Sequence, residues 1–192
     1  MPAKQDDELR KAYLERFSKL QQDSDVDIWF LDETGIEGDP RPRRRWAKKG
    51  STPTIPYTGN HIRMNVCGMV CPRSGEFIAL EFDFMDRVAF QAFLDFANEK
   101  IRDYPKRQLV ICDNASWHKV KSLNWGSLEV VFLPPYSPDF NPIERLWLRL
   151  KSDYFFDFIA KSHDALIERL DFALSELMTQ AKRVTSICAL SH

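Results

Sequence analysis

Two carboxylates, Asp113 and Glu144, occupy the part of the sequence with the clearest chemical pattern, residues 108–147. The apolar run 109–112 leads directly into Asp113, and it is short and rich in branched residues, which predicts a buried strand. A second apolar run, 130–133, leads into a proline-rich loop, and Glu144 follows near the start of a predicted helix. Ligands collect at this end of the strands in open α/β sheets. Because neighbouring carboxylates repel each other and a divalent cation relieves the repulsion, the pattern predicts a metal site.

The first predicted strand also ends in acidic residues. Residues 27–33 read DIWFLDE, so that an apolar run is followed by Asp32 and Glu33. Successive side chains on a strand point to opposite faces, and only one of these two is therefore expected to join Asp113 at a site. Thr34 and Gly35 are expected to end this strand.

The polar residues near these carboxylates each have two interpretations. Asn114 could orient Asp113 or contact a phosphate, and turn chemistry explains it equally well. His118 could lie at the edge of a site or could be a structural histidine. Glu33 is assigned to the second shell of the site or to the surface, and Trp147 to the core.

The helix that carries Glu144 has a well-defined predicted start. Asn141 is a good N-cap residue, with Pro142 at the first helical position and Glu144 at the third. A glutamate at the third position can instead serve a capping box, which is the alternative to a catalytic role for Glu144.

The remaining segments predict a single mixed α/β sheet flanked by helices. Predicted helices cover residues 4–22, about 86–102 with Asp86 as the cap, a short stretch after Asp113, a segment from about 141, and about 163–182. The apolar stripe of the first helix is Leu9, Ala12, Tyr13, Phe17 and Leu20, and that of the second is Phe90, Phe93, Leu94, Ala97 and Ile101. Predicted strands cover 63–71, 76–84 and the runs that end at Asp113 and Leu133. Residues 72–75 form the predicted hairpin turn.

A basic segment lies between the first two strands, within residues 36–62. Six of the nine residues from Arg41 to Lys49 are basic, whereas the whole chain has a net charge of -1. The candidate polyanion-binding residues here are Arg41, Arg43, Arg44, Arg45, Trp46, Lys48 and Lys49. A solvated loop is the alternative, but such a concentrated charge beside a carboxylate site favours a segment that holds a polyanion.

Composition excludes several classes of protein. The chain has 192 residues, of which 44% are hydrophobic, and it has no glycine-rich phosphate loop, which argues against a nucleotide-dependent enzyme. It has no signal-peptide core and no apolar run of membrane-spanning length, so a cytoplasmic, nucleoid-associated protein is expected. The four cysteines, at 67, 71, 112 and 188, lack paired spacing and are expected to be reduced core thiols and not zinc ligands.

Four motifs carry a family resemblance when they are taken in order: FLDET at 30–34, WAKKG at 46–50, ICDNASWH at 111–118 and LPPYSPDFNPIERLW at 133–147. Together they resemble the catalytic domain of DDE transposases of the mariner superfamily, within its bacterial insertion-sequence branch, over about residues 26–180. The resemblance implies an RNase H-like fold, which we assign to residues 25–192. The apolar spacing within residues 1–24 separately predicts an amphipathic helix before it. In that fold the first and fourth strands are neighbours, which places Asp32 next to Asp113, and Glu144 comes from the helix after the fifth strand.

The resemblance also implies a reaction. Asp32, Asp113 and Glu144 would hold two Mg²⁺ or Mn²⁺ ions, with Asn114, His118 and Asn141 as possible second-shell residues, for DNA strand cleavage and strand transfer. The implied partners are double-stranded DNA at the transposon ends and target, a second copy of the chain on DNA, and a helix-turn-helix protein or upstream frame. Only the helix at 4–22 precedes the first strand, so weak DNA binding without sequence preference is expected. The alternatives are a truncated remnant that only binds DNA or a partner, and a structure-selective nuclease, which the long last motif disfavours.

The basic segment generates the first prediction. Replacing Arg43, Arg44 and Arg45 with alanine is expected to weaken DNA binding without altering sequence preference, because phosphate contacts position a protein and do not specify a sequence. The slope of log affinity against log salt concentration is expected to become shallower by up to about three units, at about 0.9 for each lost contact. An unchanged slope would show that the segment is a solvated loop.

Overall fold

The computed structural model describes residues 7–39, 46, 48–51, 59 and 61–190. The strands are β1 (Val26–Glu37), β2 (Arg63–Cys71), β3 (Glu76–Phe82), β4 (Arg107–Cys112) and β5 (Leu128–Phe132). The helices are α1 (Asp7–Gln22), α2 (Arg87–Ile101), α3 (Ile143–Tyr154), α4 (His163–Thr179) and α5 (Ala181–Ile187), with short 3₁₀ helices at Ser116–Lys119 and Pro138–Phe140. No helix within these ranges is both long enough and apolar enough to cross a membrane.

The strands form one mixed sheet in the order β3-β2-β1-β4-β5. β1 is parallel to β4 and antiparallel to β2, and β4 is parallel to β5. The predicted adjacency of the first and fourth strands is therefore confirmed. Phe30 pairs with Ile111 at the end of their ladder, and Asp32 and Asp113 each lie two residues further along. Both carboxylates thus emerge at the same edge of the sheet.

Two apolar layers cover the two faces of the sheet. One face packs against α1, α3, α4 and α5 through alternate β1 residues such as Ile28 and Phe30. The other face packs against α2 through Trp29 and Leu31. The stripe predicted for α2 is confirmed, because its buried residues are Phe90, Phe93, Leu94, Ala97 and Ile101. The predicted cap is also confirmed, since the Asp86 carboxylate accepts hydrogen bonds from the first turn of α2.

The predicted end of β1 at Thr34 and Gly35 was wrong. β1 continues to Glu37 because β2 pairs with it from Phe30 to Glu37, which lies opposite Arg63. Gly35 does not break the strand but leaves room beside it, since a Cβ atom there would lie 2.5 Å from the Arg63 guanidinium group. At the other end of the sheet, β3 stops at Phe82, two residues before the predicted end.

The C-terminal helix also differs from the prediction. A single helix was expected to reach residue 182, but α4 ends at Thr179 and a separate helix, α5, begins at Ala181. The break is at Gln180, whose backbone leaves the helical region with φ -105° and ψ 52°. The turn lets Val184 and Cys188 of the last segment enter the core. All four cysteines are buried and unpaired, as expected.

The N-terminal helix α1 lies on the α3 side of the sheet. Tyr13, Phe17 and Leu20 pack against the core, whereas Leu9, which was predicted to belong to the same stripe, is exposed. The ring of Phe17 meets that of Phe30 on β1 edge-on, with centroids 5.9 Å apart. The amphipathic helix predicted here is therefore present and docks on this chain's own core.

Gly68 of β2 makes room for the most enclosed aromatic residue of α3. It stands opposite Asp32 in the β1–β2 register. A Cβ atom at Gly68 would lie 2.8 Å from Trp147 Cη2 and 3.1 Å from the ring of Phe77. The close approach of Trp147 to the sheet thus requires glycine at this position.

The Gly68→Ala substitution is therefore expected to destabilise the fold by about 1–3 kcal/mol, the usual cost of overpacking a core. Urea denaturation measures the change in the free energy of unfolding. The Trp147→Phe background is the control, because phenylalanine lacks the Cη2 atom and should reduce the cost of the added methyl group. Equal costs in both backgrounds would contradict the assigned clash.

Candidate functional site

Asp32, Asp113 and Glu144 line one pocket at the edge of the sheet where β1, β4 and β5 lead. Asp32 comes from β1, Asp113 follows β4, and Glu144 lies in the first turn of α3. The rest of the lining is Asn114, Ala115, Leu133, Pro134, Pro135, Tyr136, Ser137, Pro138 and Asn141. Three carboxylates from distant parts of the chain are thus brought to one cavity.

Asp32 is the partly buried member of the three carboxylates. The indole Nε1 of Trp147 donates a hydrogen bond to its Oδ2 atom at 3.1 Å. Burial and, after it, the negative charges of Glu144 and Glu33 together raise the pKa of Asp32 to about 8. The carboxylates are therefore close enough to disfavour one another's charge, which is the condition that a bound cation relieves.

Asp113 is exposed, and its environment favours the charged form. Its Oδ1 atom lies 2.7 Å from His118 Nδ1 and accepts a hydrogen bond from the Ala115 N–H group at 3.0 Å. The contact with His118 is the largest cause that holds the pKa of Asp113 below its usual value. The two aspartates therefore have opposite electrostatic roles, because one is held as an anion and the other resists ionisation.

His118 connects the two faces of the sheet at the edge of the site. Its Nε2 atom is 3.0 Å from Glu33 Oε1, on the α2 side of β1, and its side chain is only 1% exposed. Burial opposes the charged imidazole, but contacts with Asp113 and Glu33 together raise the pKa of His118 to about 9. The Nδ1 contact with Asp113 is at ion-pair distance.

Asp32 and Glu33 point to opposite faces, as predicted, but both are linked to the pocket. Asp32 lines it directly, and Glu33 reaches Asp113 through His118. The Cys67 thiol also donates to Glu33 Oε1, at 3.8 Å. Of these two acidic residues, only Asp32 therefore lines the pocket with Asp113, and Glu33 lies behind it against His118.

Asn141 and Asn114 hold backbone segments beside the pocket. The Asn141 amide donates to the Leu31 carbonyl of β1 at 3.1 Å, and its oxygen accepts from Ile143 N–H at 3.3 Å. The helix begins at Ile143 with Pro142 as its cap, one residue later than predicted, because Asn141 closes the preceding 3₁₀ turn. The amide of Asn114 donates to the Leu133 carbonyl, so it ties together the ends of β4 and β5.

Glu144 is exposed at the start of α3. Across the part of the chain that the structure covers, its carboxylate makes no hydrogen bond or ion pair, and the capping-box bond to Asn141 N–H is not formed. Glu144 therefore retains both oxygens for a ligand in the pocket.

The donor set suits a hard divalent cation. Three carboxylates face one cavity, and oxygen ligands of this kind suit Mg²⁺ and Mn²⁺. Among the residues with described positions, no three His, Cys, Asp or Glu side chains are grouped tightly enough to hold a metal ion. Two of the three carboxylates have other partners, because Asp113 contacts His118 and Asp32 accepts a hydrogen bond from Trp147.

Two residues with contacts to the site were not recognised from the sequence. Trp147 was assigned to the core alone, yet it also donates to Asp32; its place three residues after Glu144, on the same helical face, could have indicated this. Arg10 of α1 binds Ser137 Oγ at 2.8 Å and Asp139 at 2.6 Å, in the loop that leads to Glu144. No local sequence pattern indicates that contact, since the partners are more than 120 residues apart.

The candidate DNA-binding residues are only partly described. Arg41, Arg43, Arg44 and Arg45 lie outside the described residues, whereas Trp46, Lys48 and Lys49 are exposed. The segment that contains them leaves β1 after Glu37 and returns to β2 at Arg63, which pairs with Glu37. Both ends of the segment therefore lie at the C-terminal end of β1, beyond Asp32 along the strand.

Comparison with known proteins identifies the family. A sequence model described as DDE superfamily endonuclease matches residues 27–167, which include Asp32, Asp113 and Glu144. The chain belongs to this family. It is 29% identical over 123 residues to the uncharacterized protein y4pE/y4sA of Sinorhizobium fredii (strain NBRC 101917 / NGR234), an alignment that covers 64% of this chain and 90% of that protein.

Solved structures establish the fold class. The pre-cleavage Mos1 transpososome matches with a TM-score of 0.68 at 17% identity, over 100% of this chain and 66% of that chain. The Mos1 mariner paired end complex with Mn matches with a TM-score of 0.64 at 18% identity, over 98% of this chain and 62% of that chain. The fold is thus the RNase H-like fold of transposase catalytic domains, and the chain spans about two thirds of the length of these Mos1 chains.

The opposite pKa shifts of the two aspartates predict opposite effects of neutralising them. Loss of the Asp32 charge relieves repulsion, whereas loss of the Asp113 charge removes a favourable contact with His118. A raised pKa means that the Asp32 contribution to stability is present below about pH 4 and is lost as the pH rises through about 8. The lowered pKa of Asp113 means that its contribution is present above the usual aspartate pKa and is lost as the pH falls through the folded value.

Without divalent metal at pH 8, Asp32→Asn is therefore expected to raise the Tm, at about 2–4 °C per kcal/mol gained, and Asp113→Asn to lower it. Thermal denaturation in EDTA across pH 5–9 is the measurement, with both variants compared with the parent protein. A larger loss of stability for Asp32→Asn than for Asp113→Asn would contradict the assignment.

Proposed function

We propose that this chain catalyses the divalent-metal-dependent cleavage of DNA and the transfer of the cut strand into a target, as the transposase of a bacterial insertion sequence. The observation that carries the proposal is the single pocket lined by Asp32, Asp113 and Glu144 in a chain of the DDE superfamily endonuclease family. The proposal agrees with the Mos1 likeness, since those solved complexes are transposase complexes and one is described with Mn.

The three carboxylates have distinct proposed roles. Asp32 and Asp113, on neighbouring strands, would hold two Mg²⁺ or Mn²⁺ ions between them, and Glu144 would complete the ligand set from α3. When bound, these ions would activate the attacking hydroxyl group and stabilise the leaving 3′-oxygen at a scissile phosphate. Trp147 would orient Asp32 by its hydrogen bond to Oδ2.

His118 and the two asparagines have positioning roles in this proposal. His118, held by Glu33, fixes one oxygen of Asp113 and leaves the other for a ligand. Asn141 anchors the start of the Glu144 helix to β1, and Asn114 anchors the end of β4 to β5. Second-shell partners of this kind fix the orientation of the residues that bind a metal.

DNA is the proposed substrate, and the basic segment is its proposed binding surface. Arg41, Arg43, Arg44, Arg45, Trp46, Lys48 and Lys49 would bind phosphates beside the pocket and hold the duplex there. The proposed assembly is a homodimer on DNA, with a helix-turn-helix protein or upstream frame supplying recognition of the transposon ends. The division into residues 1–24 and 25–192 remains a prediction.

Metal-dependent nicking tests the proposal. Purified protein is incubated with supercoiled plasmid that carries the DNA flanking its own gene, with Mn²⁺ or Mg²⁺. Asp32→Asn, Asp113→Asn and Glu144→Gln are each expected to lower the rate by at least about 100-fold, because losing a direct ligand should exceed the 10- to 100-fold cost of losing a second-shell partner. Mn²⁺ should also raise the Tm of the parent protein but not that of the Asp113→Asn variant.

The control is Asp103→Asn, which neutralises an exposed aspartate outside the pocket and should nick at the parent rate. If the parent binds DNA but neither nicks it nor gains stability from Mn²⁺, the chain is a binding module and the enzymatic proposal is wrong. Nicking that depends on branched DNA, and that requires no flanking sequence, would instead support a structure-selective nuclease.

A further inference from the structure

Arg10 of α1 has no role in the reaction described above, although its side chain contacts a loop of the carboxylate pocket. We define the site loop as residues 133–141, between β5 and α3, and most of it lines the pocket of Asp32, Asp113 and Glu144. Arg10 reaches this loop from 127 residues away in the sequence. Its side chain is only 18% exposed, whereas α1 has no fully buried residue. The helix therefore places one cation against the site.

The polar contacts of Arg10 are made by both arms of its guanidinium group. Nη1 donates to Ser137 Oγ at 2.8 Å and to Asp139 Oδ1 at 3.2 Å, and Nη2 donates to Asp139 Oδ2 at 2.6 Å. Ser137 is buried, and its hydroxyl group in turn donates to the Pro135 carbonyl at 3.3 Å. Paired hydrogen bonds from a planar fork fix orientation as well as distance. The middle of the site loop is thus held in one orientation relative to α1.

An aromatic cluster anchors Arg10 and the site loop to the sheet. The Arg10 guanidinium carbon lies 4.1 Å from the centroid of the Phe140 ring, and the Tyr13 ring stacks on the same ring at 5.5 Å. Tyr13 stacks in turn on Phe17, at 5.8 Å, and Phe17 meets Phe30 of β1 edge-on. Because Phe30 belongs to the strand that carries the first carboxylate, these contacts relate the position of the loop to that strand.

The site loop continues directly into the helix that carries Glu144. Phe140 N–H donates to the Ser137 carbonyl at 3.2 Å. Asn141 N–H donates to the Pro138 carbonyl at 2.9 Å, and Glu144 N–H then donates to the Asn141 carbonyl at 3.3 Å. Both loop partners of the guanidinium group therefore belong to a hydrogen-bonded segment that ends at Glu144. A displacement of this segment displaces the Glu144 backbone, and with it the carboxylate that faces the pocket.

Neither DNA binding nor general stabilisation accounts for this geometry. Asp139 already balances the charge of Arg10, and the hydrogen bond from Arg10 is the largest cause that lowers the pKa of Asp139. The pair therefore stays ionised at neutral pH and leaves little net charge for a phosphate. A surface ion pair adds little to global stability. What the contacts do specify is the position of the site loop.

We propose that Arg10 is a positioning residue for Glu144: by holding the site loop, it fixes the start of α3 so that the Glu144 carboxylate meets the pocket in one orientation. The inference rests on the proposed function, since it assigns Arg10 to the same site. Arg10 contacts neither metal nor DNA in this role. The helix α1 carries none of the three carboxylates, yet it is a working part of the site.

Amide hydrogen exchange tests the structural part of the inference without metal or DNA. Arg10→Ala removes an ion pair and a cation–π contact, so the hydrogen bonds that join the site loop to α3 should open more often. Exchange is expected to become about 3- to 30-fold faster, which is the usual strength of those two contacts expressed as a ratio. The amides that should respond are those of Phe140, Asn141, Glu144 and Arg145.

Two variants accompany Arg10→Ala in this measurement. Asp139→Ala should have the same effect, because it removes the other half of the pair. Lys11→Ala removes an exposed cation one residue further along α1 and should match the parent. The amides of α2 should exchange at the parent rate in every variant.

Metal affinity tests whether Arg10 acts through Glu144. The apparent Kd for Mn²⁺ is taken from the dependence of Tm on its concentration. Arg10→Ala and Asp139→Ala should each raise this Kd by about threefold or more, because the arrangement that binds metal is populated for a smaller fraction of the time. In the Glu144→Gln background the same two substitutions should leave the Kd unchanged. Arg10→Lys should lie between the parent and Arg10→Ala, because an ammonium group keeps the charge without the fork.

DNA binding separates this role from a direct phosphate contact. Both alanine variants should lower kcat for nicking and leave DNA affinity and its salt dependence unchanged. If Arg10 were a phosphate contact, Arg10→Ala would weaken binding and make the slope of log affinity against log salt concentration shallower. Asp139→Ala, which releases the guanidinium group, would then strengthen binding. That pair of results would overturn the inference.

Two further results would also overturn it. One is exchange in the site loop that is unchanged in Arg10→Ala, and the other is an equal rise in the Mn²⁺ Kd with and without the Glu144 carboxylate. A parent protein that neither nicks DNA nor gains stability from Mn²⁺ refutes the proposed function alone. The exchange measurement then still decides whether Arg10 fixes the start of α3.

Discussion

Electrostatic repulsion among carboxylates is the constraint on which the structure around the pocket depends. Asp32, Glu33, Asp113 and Glu144 converge at one end of the sheet, and the charges of two neighbours raise the pKa of Asp32. Specific side chains offset part of this repulsion. The His118 imidazole lies between Asp113 and Glu33, and the Trp147 indole N–H group donates to Asp32. The cluster is thus held together by these contacts, at a cost in stability that falls mainly on Asp32.

The arrangement of strands explains why such a costly cluster can form. β1 is parallel to β4 over its first half and antiparallel to β2 over its second half, and Phe30 pairs in both ladders. Asp32 thus lies where β1 loses its β4 neighbour and the sheet opens. β4 and β5 both end near this level, and Asn114 ties their ends together. A cavity is therefore present on the β4 side of β1, while β2 remains hydrogen-bonded to the other side of β1. The ligands are therefore held by rigid backbone although the cavity is open.

The sequence predicted the parts of this arrangement that local patterns encode. Apolar runs ending in acid located Asp32 and Asp113, and helical spacing gave the buried stripe of α2 residue by residue. The motif resemblance, and not periodicity, supplied the adjacency of β1 and β4. What escaped prediction depends on distant partners: β1 passes Gly35 because β2 supports it, and Glu33 meets His118 across 85 residues. A glycine or a lone histidine carries the same local signal whatever its tertiary partner is.

His118 has a consequence for how freely the opposite face of the molecule can change. Its ring packs on Phe90 of α2, with centroids 4.7 Å apart, and on Trp117 at 4.5 Å, while its nitrogens reach Glu33 and Asp113. A shift of Phe90 therefore moves the imidazole, and with it the orientation of Asp113. Under the proposed function, apolar substitutions in the α2 layer that would be neutral in an ordinary core are therefore expected to alter activity. The tolerance of the α2 layer to substitution therefore depends on the contact between His118 and Asp113.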